Sequence, residues 1–173
     1  MREDLATLIA DWPKEPRASA RWLVEYYGDP DEHSASQLIW YGTPDGWKRT
    51  VLSREETPHD FPLPHSDYVQ QFIDYHVPVE MFSKLAAYDG SVIVERTKGE
   101  LSARCGGTSM NFVAINLAHD IITRARTVAE ARDECARLFA SFHLGIEQPY
   151  TKSFQFAVAR GGTIDRDMST LSQ

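Results

Sequence analysis

Apolar residues recur along this chain in two rhythms, and the switches between them mark out the elements. Leu5, Leu8, Ile9 and Trp12 fall at helical spacing until Pro13 ends the pattern, which predicts a short first helix. A second helix follows the Pro13 to Pro16 break, with Pro16 at its first position, Trp22, Leu23, Tyr26 and Tyr27 as its apolar stripe, and Gly28 as its stop. From Ser36 to Tyr41 and from Trp47 to Ser53 the chain turns aromatic and β-branched around Thr43-Pro44-Asp45-Gly46, the chemistry of a reversal, so a hairpin is expected. Pro58, Pro62 and Pro64 then crowd residues 54–66, and missing amide donors argue for a loop rather than a sheet.

The stretch Ser66 to His76 fits both rhythms. Val69, Gln71, Ile73 and Tyr75 alternate, whereas Val69, Phe72, Ile73 and His76 share a helical face, and Ser66 with Asp67 as start signals favours helix. Phe82, Leu85 and Ala86 predict a short helix ending before Asp89-Gly90. Val92 and Val94 with Leu101, Ala103 and Cys105, reversed at Lys98-Gly99, predict a second hairpin. Two helices follow. The first is apolar on most sides through Met110, Phe112, Val113, Ile115, Leu117 and Ile121; the second opens on a capping-box match, Thr127 with Glu130, and carries the stripe Val128, Ala131, Cys135, Leu138. Phe154, Phe156 and Val158 alternate as a closing strand. The sum is an α+β fold: an antiparallel sheet of two hairpins plus a C-terminal strand, with helices packed on one face, in a single domain over 1–158 and a polar tail over 159–173 expected to be mobile.

Composition agrees with one ordinary folded domain: 173 residues, 42% hydrophobic and 25% charged. The net charge of −7 opposes attachment to nucleic acid or an anionic membrane, and no stretch approaches the roughly 18 apolar residues of a span. Acids near the N-terminus do not fit a secretory leader, and the two cysteines, Cys105 and Cys135, stand in no metal or redox spacing, so a cytoplasmic protein with reduced thiols is expected.

Three places in the chain carry candidate chemistry. At Arg104-Cys105-Gly106-Gly107-Thr108-Ser109 a strand runs through a diglycine into a helix start, where free amides and the helix dipole favour a small anion. Cys105 is there the candidate nucleophile, and Asn116 and His119, three apart on the following helix, extend the polar lining. His59 and His65, with Asp60, Asp67, Glu55 and Glu56 within about a dozen residues, are imidazoles and carboxylates a borderline metal would use, but their spacing matches no established site, so incidental surface histidines are the simpler reading and no cofactor is expected. Trp40, Tyr41 and Trp47 exceed what a modest core needs and suggest an interface. The functional reading is therefore a non-catalytic binding or self-assembly domain, a homo-oligomer. The alternative is an enzyme or sensor for a small anionic ligand at the 104–109 junction.

Overall fold

A computed structural model describes residues 3–171; residues 1–2 and 172–173, the ends of the expected domain and tail, lie outside the described residues. Six antiparallel strands form one sheet in the order β1-β2-β3-β4-β6-β5. The strands are β1 (Glu32–His33), β2 (Gln37–Tyr41), β3 (Arg49–His59), β4 (His65–Asp74), β5 (Val92–Glu95) and β6 (Glu100–Cys105). Five helices accompany them: α1 (Glu3–Leu8), α2 (Lys14–Tyr27), α3 (Phe82–Tyr88), α4 (Thr108–Ile122) and α5 (Val128–His143). The α+β class and the antiparallel sheet are as the sequence predicts.

Register explains where the core lies. Residues paired across strands share a face, and Leu38, Leu52 and Val69 pair in one row while Trp40, Thr50, Gln71 and Ala103 pair in the next. All are buried. Helix α2 covers the β2–β3 end of that face through Ala20, Leu23 and Val24, and α4 covers the β4–β6 end through Val113, Ile115 and Leu117. Each such side chain removed from water contributes about 1.5–3 kcal/mol before entropy is subtracted. Between the two groups runs a buried polar seam, in which Gln71 donates to Thr50 and Tyr27 and accepts from Asn111.

Four expectations are corrected. Residues 54–66 form no free loop: β3 continues to His59 and pairs with β4, with a register shift between Leu52 and Thr57. Proline is tolerated because β2 leaves β3 at Ser53, so beyond that point β3 is an edge strand and Pro58 owes no amide to a neighbour on that side. Residues 65–74 are strand rather than helix, since the alternation of Val69, Gln71 and Ile73 is what the sheet buries. On α2 the buried stripe is Pro16, Ala20, Leu23 and Val24, leaving Trp22 and Tyr26 half in solvent. Residues 153–158 make no strand, and just beyond them Ala159 meets Asp74 of the sheet in a single isolated bridge.

The tail is held by named contacts. The Gly161 amide donates to Asp74, the Thr163 hydroxyl to the Gly99 carbonyl, and Arg96 pairs with Asp165 and Asp167. The capping box of α5 forms as expected, with Thr127 and Glu130 exchanging hydrogen bonds.

Candidate metal centre

Three potential ligands converge at the turn end of the β3–β4 hairpin. His59 and His65 are cross-strand partners, and Asp67 lies two residues further along β4. One ligating atom from each lies within 4.8 Å of the others. His65 Nε2 is 3.1 Å from Asp67 Oδ1, and His59 Nδ1 is 3.3 Å from Asp67 Oδ2. Atoms bonded to one tetrahedral zinc at its usual bond lengths of about 2.0–2.1 Å would be about 3.3 Å apart, so the spacing fits a shared ion.

The hydrogen bonds around the cluster say which atoms face inward. His65 Nδ1 lies 2.7 Å from the Leu63 carbonyl, which only accepts, so that nitrogen carries the proton and Nε2 presents a lone pair. That lone pair meets a carboxylate oxygen. Two electron-rich atoms 3.1 Å apart need a cation between them, either a second ring proton or a metal. On His59 the roles of the nitrogens are exchanged and the outer contact is longer: Nε2 faces Asp89 Oδ1 at 3.6 Å, beyond hydrogen-bond length, and Nδ1 faces Asp67 Oδ2. An imidazole whose outer nitrogen faces an acceptor is how proteins orient a metal-bound ring. Ser91 completes the frame, its hydroxyl donating to Asp67 Oδ2 at 2.5 Å and its amide to Asp89 Oδ1 at 2.7 Å.

Three buried atoms here meet charged neighbours without completing a hydrogen bond. His59 Nδ1, Asp67 Oδ1 and Arg104 Nε make no hydrogen bond, although Asp67 is wholly buried and Arg104 Nε stands 3.9 Å from its carboxylate. Leaving such groups unmatched costs about 1–3 kcal/mol each. Beside them, burial raises the Asp89 carboxyl above its usual range, the Ser91 amide and His59 pulling the other way.

Cys105, at the end of β6, brings Sγ to 3.4 Å from His65 Nε2. The trio Cys105, His65 and Asp67 has the residue types of a thiol protease triad, but both contacts fall on one nitrogen, whereas a triad base needs the nucleophile on one side of the ring and the carboxylate on the other. Burial, with Asp67 adding, pushes the thiol up to about 12, the Gly106 and Gly107 amides opposing; that is the reverse of an activated nucleophile. The cavity beside it, lined by His59, His65, Phe61, Met110 and Phe139 among others, has a volume of about 10 Å³. That is room for one water or one ion and not for an organic substrate.

The remaining sequence candidates are dispersed. Gly106, Gly107, Thr108 and Ser109 line a different pocket of about 490 Å³, walled by Trp22, Met110 and Phe142, with no cationic side chain among its lining residues. Arg104 faces Asp67 instead. Asn116 ties α4 to the C-terminal segment, donating to the Tyr150 and Ser153 carbonyls and accepting from the Gln155 amide. His119 bonds the Tyr75 hydroxyl and stacks on Phe156 at 4.0 Å, and burial lowers its pKa. The polar lining expected from Arg104 through His119 is thus split among three places. Trp40 and Trp47 are core residues, 3% and 1% exposed, the latter packed against Phe112 and Phe154, so they offer no surface; of the three expected interface aromatics only Tyr41 is exposed.

Asp89 and Ser91 escaped sequence reasoning, whereas Asp67 stood beside His65 among the carboxylates near the two histidines. The signal for Asp67 was present as His65-x-Asp67, since residues two apart on a strand share a face. No described helix is long and apolar enough to cross a membrane. Comparison with protein families, with curated proteins and with solved structures finds no match for this chain.

Proposed function

We propose that the chain is a metal-binding domain whose His59, His65 and Asp67 hold one divalent transition-metal ion of zinc type. The observation that carries this reading is the convergence of His59 Nδ1 and His65 Nε2 on a buried carboxylate while each outer ring nitrogen faces an acceptor. Two nitrogens and a carboxylate oxygen suit zinc better than magnesium or calcium, which prefer sets of oxygens. With space for an ion alone, the metal acts by clamping the β3–β4 turn to the strands and helices beneath it, a binding role without chemistry on an organic substrate. Elemental analysis after purification without chelator, followed by zinc titration of the stripped protein, tests it. One ion per chain and a raised Tm on zinc addition are expected; no ion and no shift with zinc, cobalt, nickel or manganese would refute the reading.

A second reading has its own observation. Trp22 and Tyr26 stack with ring centres 5.1 Å apart while each is half-exposed, and Phe142 stands across the same pocket. Exposed stacked aromatics beside an apolar pocket favour self-association through α2, moving the expected assembly surface from Trp40 and Trp47 to these residues. Sedimentation of wild type against Trp22→Glu tests it: a dimer that becomes a folded monomer supports it, and identical masses dispose of it.

A further inference from the structure

We propose that Cys105 is the fourth ligand of this ion, which makes the centre a closed N2OS site controlled by a single thiol; the inference rests on the metal reading above. The sulfur approaches His65 on Nε2, the nitrogen that also faces Asp67, at 3.4 Å. A nitrogen and a sulfur bound to one tetrahedral zinc, at about 2.0 and 2.3 Å, would be separated by about 3.5 Å. The distances from His65 Nε2 to Asp67 and to Cys105 match the lengths of two edges of one tetrahedron, and binding would draw Sγ inward to join His59, His65 and Asp67, whose ligand atoms already lie within 4.8 Å of one another. Competing donors do not take that corner. Asp89 lies on the far nitrogen of His59, outside the convergence point.

The sulfur is held close to the hairpin. A Cβ at Gly106 would stand 3.2 Å from the Ser66 carbonyl oxygen, so the residue after Cys105 lies against the strand bearing His65 and Asp67. Binding exchanges the thiol proton for the ion, leaving Asp67 and the Cys105 thiolate to balance a dication. The wall is apolar, with Phe61, Met110 and Phe139 around a cavity of about 10 Å³, so four protein ligands would leave no open position for a substrate. Cys135, buried on α5, lines the same cavity outside the group of His59, His65 and Asp67, which makes it an internal control.

Cobalt(II) separates the possibilities, because a tetrahedral cobalt thiolate shows a near-ultraviolet charge-transfer band that nitrogen and oxygen ligands do not. The stripped full-length chain should bind one cobalt with that band. Cys105→Ser should lose the band and bind about 10–100-fold more weakly, while keeping the native circular dichroism. Cys135→Ser should keep both band and affinity. Stoichiometric cobalt without the band, or a band that survives in Cys105→Ser, overturns the assignment of Cys105 and leaves the His59, His65 and Asp67 site standing. Failure of the wild-type chain to bind cobalt or zinc brings down both.

Discussion

Two clusters of charged side chains sit on the β4–β6 strands, and they differ in completeness. At the end farther from the β3–β4 turn, Glu100 accepts from Arg49 at 3.0 Å and pairs with Lys48 at 2.8 Å; Lys48 also reaches Asp74, whose second oxygen takes the Gly161 amide. Every carboxylate oxygen there has a partner. At the turn end, Asp67 is more deeply buried and meets the Ser91 hydroxyl and both histidines, yet Asp67 Oδ1, His59 Nδ1 and Arg104 Nε complete no hydrogen bond. Glu100 is satisfied by two fixed cations, whereas the hydrogen bonding around Asp67 is incomplete. Titration behaviour differs in the same way. Burial raises the Glu100 carboxyl but the Lys48 and Arg49 bonds outweigh it and the net shift is down, whereas burial wins at Asp89 and the net shift is up.

The comparison breaks first at Asp67. With zinc at about 100 times its dissociation constant, bound metal should add about 2.7 kcal/mol to wild-type stability. Asp67→Asn should erase that gain, visible as loss of the zinc-dependent Tm shift, and Glu100→Gln should preserve it. A zinc shift equal in Asp67→Asn and wild type would show that the unpartnered atoms mark no site.

Glu100→Gln tests the complete cluster. Hydrogen bonds to charged groups are worth about 1.5–3 kcal/mol, and a loss of that order is expected in urea unfolding with or without metal. The pH dependence follows from the sign of the shift. Glu100 holds its proton less tightly folded than unfolded, so its contribution is complete above the unfolded carboxyl range and disappears as pH falls through the folded value. Wild type should therefore lose more stability than Glu100→Gln between neutral pH and the acid side of that range. Parallel curves would mean the ion pairs contribute nothing measurable.

Helices and hairpins with clean rhythm were legible in the sequence: α3, α5 with its capping box, and the β5–β6 hairpin stand where periodicity placed them. Two of the misreadings fall at one spot and share a cause. Pro58, Pro62 and Pro64 argued for a loop because sequence does not reveal which strand is an edge, and Asp67 read as a helix start because a short acid serves equally well as a cap or as a buried ligand. Once 54–66 was a loop, His59 and His65 had no reason to meet, and the site vanished with the hairpin. Trp40 and Trp47 misled in the opposite direction. Aromatic count is visible in a sequence, but the two separate core clusters that absorb those rings are not.

The smallest expected effect sharpens how the complete cluster is maintained. Gly99 turns β5 into β6 with φ +63, and a Cβ there would stand 2.2 Å from the Thr163 carbonyl oxygen. Gly99→Ala therefore costs about 1–2 kcal/mol for the left-handed backbone and also drives the strap over 159–171 away from the turn. Because Thr163 bonds the Gly99 carbonyl and Gly161 bonds Asp74, the strap should lift as a unit, taking one partner from Asp74 while Lys48 remains. Hydrogen exchange should rise at 159–165 and stay unchanged at His59, His65 and Asp67. If exchange rose equally at both ends of β4, the two clusters would be one cooperative assembly, and the contrast between a completed and an uncompleted site would have to be sought in the metal response alone.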